Sequence, residues 1–186
     1  MEEKKDYRAE LFYEPKNGYE TMDAGQRSAM EAYCEDYKRF LNDSRTEREC
    51  VRNAIALAEA QGFVEYVPGM ELKTGDKIYY SNGKALLLAI MGKKPMSEGA
   101  VVAAAHVDSP RLDLKQLPLY EDNELAFLKT HYYGGIKKYQ WTAIPLELHG
   151  TVVTTAGETI DVVIGPDPDE PQFMVSDQLP HLAGAQ

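Results

Sequence analysis

Apolar residues in the first third of the chain recur at steps of three and four positions, which is the period of an amphipathic helix. One helix is predicted from Asp23 to about Asn42. The residues that form its apolar face are Met30, Tyr33, Cys34, Tyr37, Phe40 and Leu41. A second helix is predicted to begin at Ser44, where Ser44 and Glu47 have the spacing of a capping box, and to end near Gly62. Both helices are interpreted as packing elements.

The pattern changes to that of β-strands after the second helix. Four short apolar runs, at residues 63–67, 77–81, 85–91 and 100–105, are separated by Gly, Pro, Asn and Lys. The last two runs are almost wholly apolar, which is typical of strands buried on both faces in a sheet covered by helices. The first 113 residues therefore predict the opening of an α/β domain.

The texture of the chain shifts again beyond Pro118. Residues 135–165 are rich in β-branched and aromatic residues, and Gly150 and Gly157 lie where turns are expected. This pattern predicts antiparallel strands without a long helix. We therefore expect an α/β opening that is followed by a β-rich segment. That segment ends without closing a domain, which suggests an incomplete protein.

Composition excludes several classes of protein. The chain has 186 residues, of which 44% are hydrophobic and 27% charged, close to the average for globular proteins. Its net charge of −10 disfavours binding to nucleic acid or to anionic lipid. The absence of a long apolar run or a secretory signal predicts a cytoplasmic protein that does not span a membrane. The two cysteines, Cys34 and Cys50, are expected to be buried, reduced thiols.

The sharpest chemical feature is the pair His106 and Asp108, which directly follows the apolar run at 100–105. Ligands of open α/β sheets gather beyond the carboxyl ends of strands, and a histidine there can bind zinc. A spacing of two along an extended segment points both side chains to the same side, so Asp108 could orient the imidazole. Taken alone, a His-x-Asp pair is more often a satisfied hydrogen bond than a metal site.

The other histidines and the acidic clusters carry weaker signals. His131 and His149 are expected at exposed or edge-strand positions, and His181 could be a loop residue without a role. The acidic residues within 121–124 are interpreted as a solvated turn. The acidic loop at 167–170 does not have the EF-hand ligand pattern.

Two longer blocks of sequence are more specific than the His-x-Asp pair. These are AAHVDSPRLDLK at 104–115 and PLYEDNELAFLKTHYYGGIKKYQW at 118–141. In this order and at this distance they resemble the aspartyl aminopeptidase family of zinc exopeptidases, and the bacterial members most closely. The likeness extends over nearly the whole chain, to PHLA at 180–183.

The resemblance implies a fold, an assembly and a set of site residues. It implies an α/β zinc-peptidase domain in residues 1–113 and the start of an inserted β-rich dimerisation domain in residues 114–186. His106 would be a zinc ligand, and Asp108 would be the catalytic residue that supports this ligand. His181 would reach the substrate pocket of a neighbouring subunit. Homo-oligomers assembled from dimers are expected.

The resemblance also implies two zinc ions, whose other ligands and general base lie downstream of the insertion domain in the family. This chain holds one expected ligand, so we expect it to be part of an aminopeptidase that removes N-terminal residues from peptides, and to be inactive alone. One alternative is a non-catalytic assembly module that docks on a complementary or full-length chain. Another is a plain α/β binding domain whose His-x-Asp pair is structural. Exposed apolar strand edges predict that the isolated chain self-associates.

Overall fold

The computed structural model describes residues 7–176 of the chain, which form two compact units that divide after Asn42. The helices are α1 (Arg8–Leu11), α2 (Gly18–Thr21), α3 (Ala24–Asn42) and α4 (Glu47–Ala60). The strands are β1 (Val64–Glu65), β2 (Lys77–Ser81), β3 (Leu86–Ile90), β4 (Arg111–Asp122), β5 (Leu125–Tyr133), β6 (Leu148–Val153) and β7 (Thr159–Ile164). In the described range, no helix is both long and apolar enough to cross a membrane.

Helix α3 begins where the sequence predicts, because Asp23 caps it. The Gln26 backbone N–H donates to Asp23 Oδ1 at 2.8 Å, and the Asp23 N–H donates to Gln26 Oε1 at 3.0 Å. The predicted apolar face is largely exposed, and the prediction that Cys34 is buried is wrong. The other helices of this unit, α1 and α2, have four residues each and are too short to cover the 19 residues of α3.

Helix α4 begins at Glu47, three residues later than the predicted start at Ser44. Its capping box is formed by Thr46 and Glu49, because Thr46 has the extended backbone that an N-cap requires. The Glu49 N–H donates to Thr46 Oγ1 at 3.3 Å, and the Thr46 N–H donates to Glu49 Oε2 at 2.9 Å. The Ser44 hydroxyl accepts a hydrogen bond from Asn53 instead. Cys50, on this helix, is half-buried as a free thiol.

A three-stranded sheet packs beside α4, with β1 parallel and β3 antiparallel to the central β2. The buried apolar residues are Val51 and Ala58 of α4 and Ile78 and Tyr79 of β2. The Tyr79 hydroxyl donates to Glu59 Oε1 at 2.7 Å and ties helix to sheet. This hydrogen bond, with a smaller contribution from burial, raises the pKa of Tyr79 to about 12.

The predicted strand at 100–105 is absent from the structure, and its apolar side chains are exposed. The residue exposures of Val101 and Val102 are 105% and 80%. A strand needs a neighbouring ladder, and within residues 7–176 this run forms no backbone hydrogen bonds to another strand. The expectation of burial on both faces is also wrong for β3, where Leu87 and Ile90 are exposed.

The remaining four strands of the described chain form two antiparallel hairpins. Strands β4 and β5 are joined at Asn123 and Glu124, which both have positive φ, and their register shifts between Leu114 and Leu119. Strands β6 and β7 pair over their full length, which confirms the antiparallel strands predicted within 135–165. The acidic residues of 121–124 are exposed at the β4–β5 turn, as expected. The predicted domain boundary between residues 113 and 114 stays a prediction.

Candidate functional site

His106 and Asp108 lie in the extended segment between β3 and β4, just before β4 begins. His106 Nδ1 is 2.9 Å from the backbone oxygen of Asp108 and 3.1 Å from its side-chain Oδ1. Both partners are acceptors, so Nδ1 carries the proton. In this tautomer the lone pair of the imidazole is on Nε2. The prediction that both side chains point to the same side is confirmed.

The second carboxylate oxygen of Asp108 is held by β5. The Tyr133 hydroxyl donates to Asp108 Oδ2 at 2.9 Å. This hydrogen bond is the main reason why the pKa of Asp108 is lowered, with further contributions from its own backbone N–H and from His106 that outweigh partial desolvation. The same hydrogen bond and the charge of Asp108 raise the pKa of Tyr133. Asp108 is therefore an ionised acceptor at neutral pH.

Arg111, the first residue of β4, connects this hairpin to helix α4. Its guanidinium carbon lies 4.1 Å from the centroid of the Tyr133 ring. Its Nε donates to Asp113 Oδ1 at 2.7 Å, and its Nη1 donates to Glu47 Oε1 at 2.9 Å. Burial lowers the pKa of Arg111, but the hydrogen bonds that it donates to these two carboxylates outweigh burial and raise the pKa overall. Tyr133 thus lies against an arginine that is held from two sides.

His149 on β6 forms a second cluster at the first turn of α4. Its Nδ1 is 2.8 Å from Glu49 Oε1, and its Nε2 is 2.9 Å from Glu147 Oε2. Two carboxylate partners require a proton on both ring nitrogens, so the geometry selects the imidazolium form. Desolvation lowers the pKa of His149, but the bonds to both glutamates outweigh it and raise the pKa. His149 was expected at an exposed or edge-strand position, and it lies half-buried on β6, an edge strand of a two-stranded sheet.

His131 is not brought to either cluster. His131 is exposed on β5, as expected, with its Nδ1 3.1 Å from the backbone oxygen of Tyr132. His181 lies outside the described residues. The site that residues 7–176 define is therefore the pair His106 and Asp108 with Tyr133 behind it.

The structure supports one metal ligand at this site. The His106 side chain is 83% exposed, and the lone pair of its imidazole is on Nε2 because Nδ1 is hydrogen-bonded. This arrangement fits the second-shell pattern of zinc-bound histidine. Within the described part of the chain, no three His, Cys, Asp or Glu residues are grouped so that they could hold a metal ion. His106 therefore fits as a single contributor to a zinc site.

Sequence comparison decides the family. A profile described as "Aminopeptidase I zinc metalloprotease (M18)" matches residues 40–186, which is most of the chain. The chain belongs to the M18 family. A probable M18 family aminopeptidase 1 of Clostridium acetobutylicum is 47% identical over 182 residues, which are 95% of this chain and 39% of that protein. A probable M18 family aminopeptidase 1 of Thermotoga maritima is 38% identical over 161 residues, which are 84% of this chain and 35% of the relative.

Solved M18 structures share the fold. Aminopeptidase I from Borrelia burgdorferi superposes with a TM-score of 0.82 at 38% identity and covers 89% of this chain and 41% of that one. Aminopeptidase I from Clostridium acetobutylicum gives 0.77 at 46% identity, with coverage of 93% and 39%. The S. cerevisiae mApe1 dodecamer, at 20% identity and a TM-score of 0.62, shares the fold alone.

The comparisons bear on the predictions at different depths. The mixed α/β fold and the resemblance to M18 aminopeptidases are confirmed. The chain spans about two fifths of the length of these relatives, at 39% of the Clostridium acetobutylicum protein. The comparisons do not favour the alternative of a non-catalytic assembly module.

Proposed function

We propose that this M18 chain contributes to a zinc-dependent aminopeptidase that removes N-terminal residues from peptides, and that His106 is one of its zinc ligands. The observation that carries the proposal is the His106–Asp108 contact. A hydrogen-bonded Nδ1 with the lone pair on Nε2 of an exposed ring is the arrangement that a metal-bound histidine needs. The zinc metalloprotease description of the matching family supports the choice of metal.

In this account Asp108 is the catalytic residue that supports the ligand. Its carboxylate accepts from His106 Nδ1–H, fixes the tautomer of the ring and increases the basicity of Nε2. The zinc, when bound, would polarise the scissile carbonyl and make a water molecule acidic enough to act as a nucleophile at neutral pH. Asp108 stays ionised for this task because Tyr133 donates to it.

The wider assembly is part of the same proposal. The complete site would hold two zinc ions, with the remaining ligands supplied from outside residues 7–176. Residues 1–113 would belong to the catalytic domain and residues 114–186 to the inserted dimerisation domain of a cytoplasmic homo-oligomer. His181 would line the substrate pocket of a neighbouring subunit. The mApe1 relative is a dodecamer, which supports an oligomeric assembly.

A chimeric enzyme tests the proposal. In it, this chain replaces the matching segment of the Clostridium acetobutylicum aminopeptidase, to which it is 47% identical over 182 residues. We expect the chimeric enzyme to contain zinc and to release N-terminal residues from a panel of unblocked peptides. His106→Ala should lower its kcat/KM by more than about 100-fold, and Asp108→Asn by about 10- to 100-fold.

The matched control is His131→Gln, which changes an exposed histidine of the β4–β5 hairpin. It should leave both the zinc content and kcat/KM within about twofold of the parent chimera. A His106→Ala chimera that keeps its full zinc content and activity would contradict the assignment of His106. A chimera that binds zinc but cleaves only N-terminally blocked peptides would contradict the aminopeptidase activity.

A further inference from the structure

We propose that Tyr133 is a positioning residue, which orients the Asp108 carboxylate and thereby keeps His106 in the tautomer that presents Nε2. The inference rests on the proposed function in one respect, namely that Nε2 of His106 is the atom that meets the metal. The juxtaposition itself is independent of any metal. Tyr133, Asp108 and His106 form an unbroken chain of hydrogen bonds, with distances of 2.9 Å and 3.1 Å.

The two carboxylate oxygens of Asp108 have different partners. Oδ1 faces His106 Nδ1, and Oδ2 accepts the hydroxyl proton of Tyr133. A carboxylate with one partner can rotate about its Cβ–Cγ bond and exchange oxygens, since the sp³–sp² torsion is broad. A carboxylate with a different partner on each oxygen has one preferred orientation. The hydroxyl of Tyr133 therefore decides whether Oδ1 remains aimed at the imidazole.

The ring of Tyr133 is itself held by Arg111. Its ring lies under the guanidinium of Arg111, whose carbon is 4.1 Å from the ring centroid. Arg111 is in turn fixed by hydrogen bonds to Asp113 and to Glu47 of α4. The hydroxyl is therefore presented from a braced ring, so little side-chain entropy is lost when its hydrogen bond forms.

The backbone after β5 lies close to the segment that carries His106 and Asp108. Gly134, which follows β5, has a φ of 76°, a conformation that side chains other than glycine rarely adopt. A Cβ atom added there would lie 3.5 Å from the Cα of Pro110. The chain thus passes close to the end of the segment that carries His106 and Asp108. The contact between Tyr133 and Asp108 follows from this close approach.

The neighbouring Tyr132 offers a matched control. It has the same side chain, lies one position away on the same strand and is 58% exposed. Its ring has Lys138 Nζ at 5.8 Å, whereas Asp108 Oδ2 takes its hydrogen bond from Tyr133. A change from tyrosine to phenylalanine removes one hydroxyl at either position. Only the change at Tyr133 should be felt at His106.

The test measures the tautomer of His106 in the 186-residue chain without metal. The protein is labelled with ¹⁵N-histidine, and long-range ¹H–¹⁵N NMR spectra are recorded at about pH 8.5, roughly two units above the ordinary pKa of histidine. His106→Gln identifies the signals of His106. We expect mainly the Nδ1–H form in the parent chain. In Tyr133→Phe the ratio of Nδ1–H to Nε2–H should fall about three- to tenfold, the effect of one lost hydrogen bond.

Two further variants make each outcome decisive. Tyr132→Phe should leave the His106 tautomer ratio unchanged, and Asp108→Ala should lower it at least as far as Tyr133→Phe. If Asp108→Ala has no effect, the backbone oxygen of Asp108 alone sets the tautomer and the proposal is overturned. It is also overturned if Tyr133→Phe leaves the ratio unchanged, or if it shifts the signals of His149 as much as those of His106. Since neither zinc nor peptide is present, the result does not depend on whether the chimeric enzyme is active.

Discussion

The segment around His106 and the cluster around His149 use the same side chain for opposite purposes. His106 is exposed, with one ring nitrogen hydrogen-bonded to Asp108 and the lone pair on the other. His149 is half-buried, and both of its nitrogens lie within 2.9 Å of a carboxylate oxygen. A metal ligand needs a free lone pair on a neutral ring, whereas a structural cation needs both protons. The difference teaches that the partners of a histidine, rather than its presence in a motif, decide its role.

The partners of the two histidines also differ in where they lie along the chain. Asp108 is two residues from His106, so the contact is local and survives in an exposed segment. Glu49 is 100 residues from His149, so their contact joins helix α4 to strand β6. Under the proposed function the first arrangement would prepare a metal ligand, whereas the second joins two elements of the fold.

The largest effect is expected for the replacement of His106 by glutamine in the chimeric enzyme, with His149→Gln as the comparison. His106→Gln would remove the proposed zinc ligand and should lower kcat/KM by more than about 100-fold at neutral pH. His149→Gln should lower it by less than about threefold under conditions in which the protein is folded, because no ring nitrogen is available to a metal. Peptide hydrolysis and zinc analysis check both variants. An equal loss of zinc in both would erase the distinction between the two histidines.

In the 186-residue chain the two substitutions should affect stability in the opposite order, with His149→Gln the more destabilising. His149→Gln replaces two charge-assisted hydrogen bonds with weaker ones and leaves two glutamates less well compensated. The free energy of unfolding should fall by about 2 kcal/mol at pH 6. His106→Gln, at an exposed position, should change it by less than about 0.5 kcal/mol. Urea unfolding followed by circular dichroism measures both, and a larger loss for His106→Gln would be inconsistent with the observed burial.

The stabilising effect of His149 should depend on pH in a defined direction. Its raised pKa means that its contribution is fully present below the unfolded value of 6.5 and is lost as the pH rises through the folded pKa. Burial raises the pKa of Glu49, but hydrogen bonds from His149 and Thr46 lower it overall, so its contribution is fully present above the unfolded value of 4.5 and is lost as the pH falls through the lowered folded pKa.

The stability difference between the parent chain and His149→Gln should therefore be greatest between about pH 5 and pH 6.5 and decline above that window. Urea unfolding at half-unit pH intervals gives this difference. The matched series with His131→Gln should show no such maximum. A difference that grows steadily up to pH 9 would mean that His149 is neutral in the folded protein.

The smallest effect concerns the apolar run that precedes His106. Val101 and Val102 are exposed, at 105% and 80%, and such patches favour association. The chain should self-associate at micromolar concentration, and replacing both valines with serine should weaken association about threefold or more. Sedimentation velocity measures this shift. A parent chain that is strictly monomeric would contradict the predicted homo-oligomer.

The sequence predicted the elements whose patterns are local. The period of apolar residues predicted α3, short apolar runs predicted β2 and β3, and β-branched and aromatic residues predicted the strands of the second hairpin, because these signals are contained within each element. The run at 100–105 shows where such reasoning ends. Its composition is that of a buried strand, but a strand also needs a partner ladder, and composition does not reveal one.

The candidate site was also predicted only where its residues are close together in the sequence. His106 and Asp108 were found because their spacing is local. Tyr133 was missed because strict pairing from the β4–β5 turn would place Arg111 opposite Ile136, and only the register shift after Leu114 places it opposite Tyr133. A bulge of this kind leaves no clear trace in the sequence.

The measurement that tests the central claim most directly is anomalous X-ray diffraction at the zinc edge from crystals of the chimeric enzyme. The expected result is an anomalous peak that marks a zinc ion bonded to Nε2 of His106, with Nδ1 still facing Asp108. Zinc bonded to Nδ1, or zinc present in the enzyme with His106 unbound, would contradict the account.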